Sequence, residues 1–308
     1  MDRYINSPDI IDLTTHVRNG NVIAFAGSGL SAREYPGWED LIRIVCDSCG
    51  IDFDENSQDK DLLELAEMAR ENNENAYCSA LSNVFGNENV SVPRAYNYLV
   101  NTQFGGYVTI NFDPLLAEAN RVNNKNKTIY DFKSGTDFSL IGNKSIYYIH
   151  GYVEFGGAVG RNDLILCKSD FSKNYSGDKP RLRSFLEQLF TYRSVLFLGC
   201  GLREEVLQNL LTICGAIRRD FVEEGKVDVP PHYILLPSLF KNSGDEQERD
   251  YETEKIENRE YEDYGLIVVR FDRESEDDYM PITKIIEEWS GLPVPEAISP
   301  FNAPEASL

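Results

Sequence analysis

The sequence predicts an α/β protein on a doubly wound, mainly parallel sheet, and three observations predict it. The runs "VIAFAG", "SVLFLG" and "HYILLP" are apolar without alternation, as in strands covered on both faces. Most such runs pass into small or polar residues and then a helical pattern, the rhythm of strand, turn and helix. The 308 residues, 42% hydrophobic and 11% aromatic, supply a large core and rule out a disordered chain. The predicted architecture is therefore Rossmann-like, one domain over residues 1–294 with a helical insertion and a tail.

The elements follow in order. Residues 8–18 read as a short amphipathic helix, stopped by "NGN" at 19–21. "VIAFAG" is a buried strand. "PGWEDLIRIVCDSCG" starts a helix that Gly50 ends, and "DLLELAEMAR" (61–70) sets Leu62, Leu65, Ala66 and Ala69 at helical spacing. Residues 38–104 together form the mainly helical insertion. "GYVTI" (106–110) is the next strand, and "NFDPLLAEANR" is a loop entering a helix with Pro114 at its first turn. "KSIYYIHG" (144–151) is a strand closed by His150 and Gly151. "RLRSFLEQLFTY" (181–192) aligns Leu182, Phe185, Leu186, Leu189 and Phe190 on one helix face. "SVLFLGCGL" (194–202) is a strand with a glycine turn, "REEVLQNLLTICGAI" the helix after it, and "HYILLP" (232–237) and "YGLIVVRFD" (264–272) are the closing strands. Residues 241–263 carry ten acidic and four basic residues and read as a solvated helical face or loop. Residues 295–308, "PEAISPFNAPEASL", read as a tail or tether.

The net charge of −21 argues against direct nucleic-acid binding, because a phosphate backbone repels an acidic surface, and suits a basic partner. The opening "MDRYINSPDI" has no basic start or apolar core, so the six cysteines are expected to be reduced thiols in a soluble, cytoplasmic protein. The apolar runs are shorter than the roughly 20 residues a membrane helix needs. Cys46 and Cys49 spell C-x-x-C inside a predicted helix with no second pair; buried structural thiols are expected there, not zinc ligands.

Ligands of doubly wound sheets sit at the carboxyl ends of the strands, where four polar clusters fall: "GSGLS" (27–31), "TINFD" (109–113), "HG" (150–151) and "GCG" (199–201). Small residues between strand and helix let backbone N–H groups approach a phosphate. "GSGLSA" meets neither standard phosphate-loop motif, having no third glycine at the dinucleotide spacing and no Lys-Ser/Thr pair. Alone, it is equally a tight strand–helix turn.

Taken in order, "AGSGLS", "YPGWEDLI", "TINFD", "YIHG" and "FLGCGLREEVLQNLL" resemble the sirtuin-like fold, in the branch of NADase domains found in bacterial anti-phage defence systems such as Thoeris. The resemblance spans roughly residues 8–290. Ser28 departs from the family's usual alanine. Pro36, Gly37, Trp38 and Glu39 stand where protein-deacylating sirtuins have Pro-Asp-Phe-Arg. Cys167 is the single cysteine between His150 and Gly199, so the four-cysteine zinc module is missing from the sequence and no metal is expected.

The resemblance implies NAD as substrate and its hydrolysis to nicotinamide and ADP-ribose, depleting cellular NAD in defence. It implies His150 as general base on water or a ribose hydroxyl, and Asn111 as the group that orients the water or binds the nicotinamide ribose. Asp113 contacts the nicotinamide or its ribose, orders the loop, or caps the helix at Pro114. Gly27, Ser28, Gly29, Leu30 and Ser31 would hold the diphosphate, with Thr109 at the strand end beside them. Gly199, Cys200 and Gly201 would line the adenosine or phosphate side. A free NADase poisons its host, so control by homo-oligomerisation or by a regulatory subunit, such as an ATPase or Argonaute-type protein, is expected, with 241–263 as a contact surface. Two alternatives stay open: a subunit that senses NAD or ADP-ribose without turnover, and an NAD-dependent deacylase or ADP-ribosyltransferase.

Overall fold

The computed structural model describes residues 9–53, 59–134, 139, 141–225, 231–243, 246–275 and 278–292; the tail expected at 295–308 lies outside them. Helix α1 (Asp9–Arg18) leads into β1 (Val22–Ala26), and α2 (Trp38–Cys49), α3 (Asp59–Asn72), α4 (Glu74–Phe85) and α5 (Arg94–Asn101) fill the span to β2 (Gly106–Thr109). Gly50 ends α2 as the sequence predicts, in the left-handed region at φ 70° with its N–H on the Asp47 and Cys46 carbonyls. Then come α6 (Leu115–Val122), β3 (Thr128–Asp131), β4 (Ser145–Tyr148), a short α7 (Lys168–Phe171) continuing into a π-turn (Ser172–Ser176), α8 (Arg181–Tyr192) and β5 (Ser194–Leu198). The chain continues as α9 (Glu205–Glu223), β6 (His232–Pro237), β7 (Phe240–Ser243), β8 (Glu246–Arg249), α10 (Tyr251–Asp263), β9 (Leu266–Phe271) and α11 (Met280–Ser290).

Seven strands form one parallel sheet in the order β3-β4-β2-β1-β5-β6-β9. Alternate residues of each strand feed opposite layers. Ala24, Ala26, Leu196, Leu198 and Leu235 join a core with α1–α6 and α11, whereas Ile23, Phe25, Val195, Phe197 and Ile234 join one with α8 and α9. That two-sided burial is why the strand sequences do not alternate. Leu186, Leu189 and Leu207 are fully buried in the second layer, so truncating any one to alanine costs about 2–5 kcal/mol.

From β1 the chain places β2 beside it, runs to the edge strand β3 and fills β4 in between, then returns to place β5 on the other side of β1. The order of strand addition reverses there, and the crevice beyond the carboxyl ends of β1 and β5 is the topological switch point.

Several elements lie outside the sequence expectations. β3 is a half-exposed edge strand with the polar sequence "TIYD", too short and too polar to signal itself. The acidic 241–263 stretch is part hairpin (β7 with β8, antiparallel) and part α10, which buries Tyr261 and Glu254 instead of being wholly solvated. Glu254 accepts from the Leu239 N–H and from Arg249, which offsets its burial. α11 buries Ile282, Ile285, Ile286 and Trp289 at helical spacing. Among the described residues, no helix is long and apolar enough to cross a membrane.

Candidate functional site

At the switch point, the loop after β1 lies directly on the loop after β5. The Gly27 N–H donates to the Leu198 carbonyl and the Gly29 N–H to the Gly199 carbonyl, both at 2.9 Å. A Cβ on Gly27 would stand 2.6 Å from the Gly199 oxygen, and Gly199 itself sits at φ 63° with its Cβ position 2.7 Å from the Leu30 nitrogen. Both glycines are demanded by this seam between loops. Gly201 differs, since a Cβ there would meet only the flexible Arg203 side chain, at 3.7 Å. The Cys200 thiol points inward, to the Phe25 carbonyl at 3.3 Å and the Leu198 carbonyl at 3.6 Å, and burial pushes its pKa far up. Cys200 therefore offers a ligand its backbone, not a thiolate.

Residues 28–30 make a single 3₁₀ turn, so the amides of Leu30 and Ser31 close onto the Gly27 and Ser28 carbonyls. With Gly27 and Gly29 committed to β5, four of the five amides in 27–31 donate inside the protein. Ser28 is exposed, Leu30 is buried, and Ser31 is buried with its hydroxyl turned toward β2.

There Ser31 joins the "TINFD" residues. Thr109 ties β2 to β1 by donating to the Ala26 carbonyl at 2.9 Å and accepts the Asn111 N–H. The Ser31 hydroxyl donates to Asp113 Oδ2 at 2.9 Å, and Asp113 Oδ1 accepts the Leu115 N–H at 3.1 Å. Asp113 thus caps α6 and anchors the site at once. Its carboxyl is almost fully buried, and that desolvation pushes its pKa up to about 6 against the hydrogen bonds it accepts. Asn111 Nδ2 donates to Tyr96 Oη at 3.2 Å and Ser31 Oγ at 3.4 Å, while its Oδ1 is buried with no partner. The buried Tyr35 hydroxyl is likewise unpartnered; burial, then the Asp113 charge, push that phenol well up.

His150 follows β4 and is buried. Its Nε2 pairs with the Tyr175 hydroxyl at 2.7 Å, and Phe171 and Tyr175 present T-shaped contacts to the ring. No hydrogen bond joins His150 to Asn111 or Asp113 among the described residues; Phe112, between them in the chain, brings its ring to 6.4 Å from the imidazole. Desolvation lowers the His150 pKa to about 3, so the ring is neutral at working pH. An aromatic line continues from Phe112 to Phe85 at 5.7 Å and on to Tyr35 at 5.5 Å.

The segment over His150 is clamped from α3. Arg70, 3% exposed, makes a two-oxygen pair with Asp170 at 2.9 and 3.0 Å and donates to Ser169 and Glu67. Tyr96, Tyr175 and Arg70 were not flagged by sequence. They lie on helices or turns among 17 tyrosines and 30 basic residues, with no motif to single them out.

Cys46 and Cys49 are buried thiols within α2, and burial pushes Cys46 up to about 11. No group of three or more His, Cys, Asp or Glu is placed to hold a metal among the described residues.

A parallel doubly wound sheet with a polar cluster at its switch point defines a nucleotide-type α/β site. A family model described as a SIR2-like domain matches residues 105–266, just over half of the chain, and the chain belongs to that family. SIR2-like domains use NAD, so family membership brings NAD-related activity with it. The match begins after the 27–31 loop, which is tied to it by the Ser31–Asp113 and Gly29–Gly199 bonds. No curated protein matches the chain.

Proposed function

We propose that the chain is an NAD glycohydrolase that releases nicotinamide and ADP-ribose, and that it acts as an NAD-depleting effector of bacterial anti-phage defence. The supporting observation is the Asn111 carbonyl oxygen, buried and unpartnered beside Asp113 and Ser31 at the carboxyl ends of the strands. Leaving such an acceptor unmet costs roughly 1–3 kcal/mol, which a ligand hydroxyl or water would recover. The defence role rests on the "YPGW" start of α2 and the missing zinc cysteines, features of the branch the sequence resembles.

In this reading the C1′–N bond breaks with its electron pair passing to the cationic pyridinium, so nicotinamide leaves neutral and needs no acid. Asn111 accepts a hydrogen bond from the attacking water, turning the water's lone pair toward C1′, and the new C1′–O bond completes ADP-ribose. The proton lost by the water passes to His150 and then to solvent. The ligand hydroxyl takes the place of Tyr175 at the imidazole. Asp113, ionised above about pH 6, stabilises the cationic sugar. Ser28, exposed at the loop tip, and the open side of Gly201 face the diphosphate and adenosine.

The test is nicotinamide release from NAD by the purified chain, alone and with infected-cell extract as activator. His150→Ala and Asn111→Ala are expected to lose it; undiminished release from both overturns the mechanism. We propose control through a homo-oligomer or a regulatory subunit, and a fully active monomer by light scattering would contradict that. A second reading has one observation in its favour: His150 is 2% exposed with Nε2 already engaged, which suits a subunit that binds NAD or ADP-ribose without turnover. Binding without product under every activating condition selects it.

A further inference from the structure

Among the described residues, α5 reaches the polar cluster through the hydroxyl of Tyr96. Tyr96 is 1% exposed, and its Oη lies 3.2 Å from Asn111 Nδ2. Accounting for protons fixes the directions. The Ser31 hydroxyl has two acceptors in reach, Asp113 Oδ2 at 2.9 Å and the Ser28 carbonyl at 3.3 Å, and the closer, charged carboxylate takes its single proton. The Ser31 oxygen is then left to accept, and the Asn111 atom 3.4 Å from it must be the amino nitrogen. The Asn111 amino group divides its two protons between Ser31 Oγ and Tyr96 Oη. A flipped Asn111 would set its oxygen against the Ser31 lone pairs and lose that bond, whereas the Tyr96 hydroxyl, able to donate as well as accept, would hold either end of the amide. The carbonyl Oδ1 is the atom that remains, buried and unpartnered.

We propose that Tyr96 is a positioning residue: its hydroxyl holds the Asn111 amino group in place while Ser31 sets which end of the amide it is, so that the carbonyl oxygen meets the ligand. The site then selects a hydrogen-bond donor at that point, a hydroxyl or a water. The identity of that donor as a ribose hydroxyl or the attacking water rests on the NAD reading; the lock itself does not.

Tyr96→Phe removes the hydroxyl and keeps the ring. In the full chain labelled with ¹⁵N-asparagine, the Asn111 side-chain amide is identified by its disappearance in Asn111→Ala. Its protons are expected to exchange about tenfold faster in Tyr96→Phe, the worth of one buried hydrogen bond. Asn120, equally buried at 7% and bonded to the Lys127 carbonyl, is the internal control and should not change. Unchanged exchange at Asn111, or equal acceleration at both asparagines, overturns the proposal. In the NAD assay, Tyr96→Phe is expected to lower kcat about tenfold with little change in KM, and to add nothing in the Asn111→Ala background. Full additivity of the two losses also overturns it. An absence of turnover in the unsubstituted chain, with the exchange result as expected, rejects the hydrolase reading and leaves the Tyr96 assignment standing.

Discussion

His150 and His232 are both buried, and desolvation lowers both to about pKa 3, yet they sit at opposite ends of the parallel sheet. His232, at the start of β6, is saturated by backbone: Nδ1 accepts the Val195 N–H at 3.2 Å and Nε2 meets the Phe190 carbonyl at 2.9 Å. His150, just past β4, has a side-chain hydroxyl on Nε2 and aromatic rings around it. The perturbed pKa is the same and so cannot separate a structural imidazole from a chemical one. The partners can. Backbone partners are fixed once the sheet forms, whereas a side-chain hydroxyl can be exchanged for one on a ligand.

The largest expected difference between the two is in turnover. His150→Ala should cost 10²–10⁴-fold in nicotinamide release per folded molecule, the usual worth of a general base. His232→Ala should leave turnover per folded molecule within a few fold and lower stability by about 1–3 kcal/mol, because it orphans two buried backbone groups. Equal catalytic losses in the two variants would erase the distinction.

Asp113 offers the next effect, with opposite signs in two assays. Its carboxyl titrates near 6 in the fold and 3.8 unfolded, so between those values the folded chain holds the extra proton and stability falls as pH rises. At pH 7 the buried charge costs about 3 kcal/mol at most. Asp113→Asn is therefore expected to raise the urea midpoint at pH 7 while cutting NAD cleavage at least tenfold. In the native chain, turnover should rise with pH through about 6; a flat profile from pH 5 to 7.5 would show that the ionised carboxylate is not needed.

The two glycines of the β5 loop give a matched pair. Gly199→Ala should destabilise the fold by about 1–3 kcal/mol, from its φ of 63° and the backbone of the facing loop. Gly201→Ala should stay within about 0.5 kcal/mol of the native chain, since nothing but a movable arginine lies near. A weaker NAD affinity in Gly201→Ala, by calorimetry, would assign that glycine to the ligand, whereas unchanged affinity would remove Gly201 from the site.

The last effect is in acid stability. The two imidazoles are neutral in the fold and titrate near 6.5 when unfolded, so between about pH 3 and 6.5 the unfolded chain binds the extra protons. Their contribution is present above pH 6.5 and lost as pH falls. His232→Gln should flatten the drop in thermal midpoint between pH 6.5 and 5, and an unaltered slope would count against the neutral buried ring.

Much of this was legible in the sequence. Apolar runs without alternation mark strands covered on both faces, and Gly50, Pro114 and the glycine turns punctuate the chain where the structure does. "TINFD" and "GSGLS" could be placed at strand ends, since a sheet residue's position along its strand is a local property. β3 and the β7–β8 hairpin were not legible, because short polar strands are stabilised by their neighbours and carry no pattern of their own. α11 carries the helical pattern of Ile282, Ile285, Ile286 and Trp289, and a reading of periodicity could have found it.

The sequence by itself determined the strand–turn–helix order, the neutral, apolar character of the strands, and the chemical types gathered at their carboxyl ends. Tertiary structure alone decided what those residues touch. Gly27 and Gly199 serve first to let two loops meet, and the Cys200 thiol turns inward. Tyr96 comes from a helix 15 residues before Asn111, and Tyr175 from a turn 25 residues after His150. The reason is physical: periodicity reports which face of an element is buried, whereas the direction of a hydrogen bond depends on every donor and acceptor that packing brings within about 3 Å.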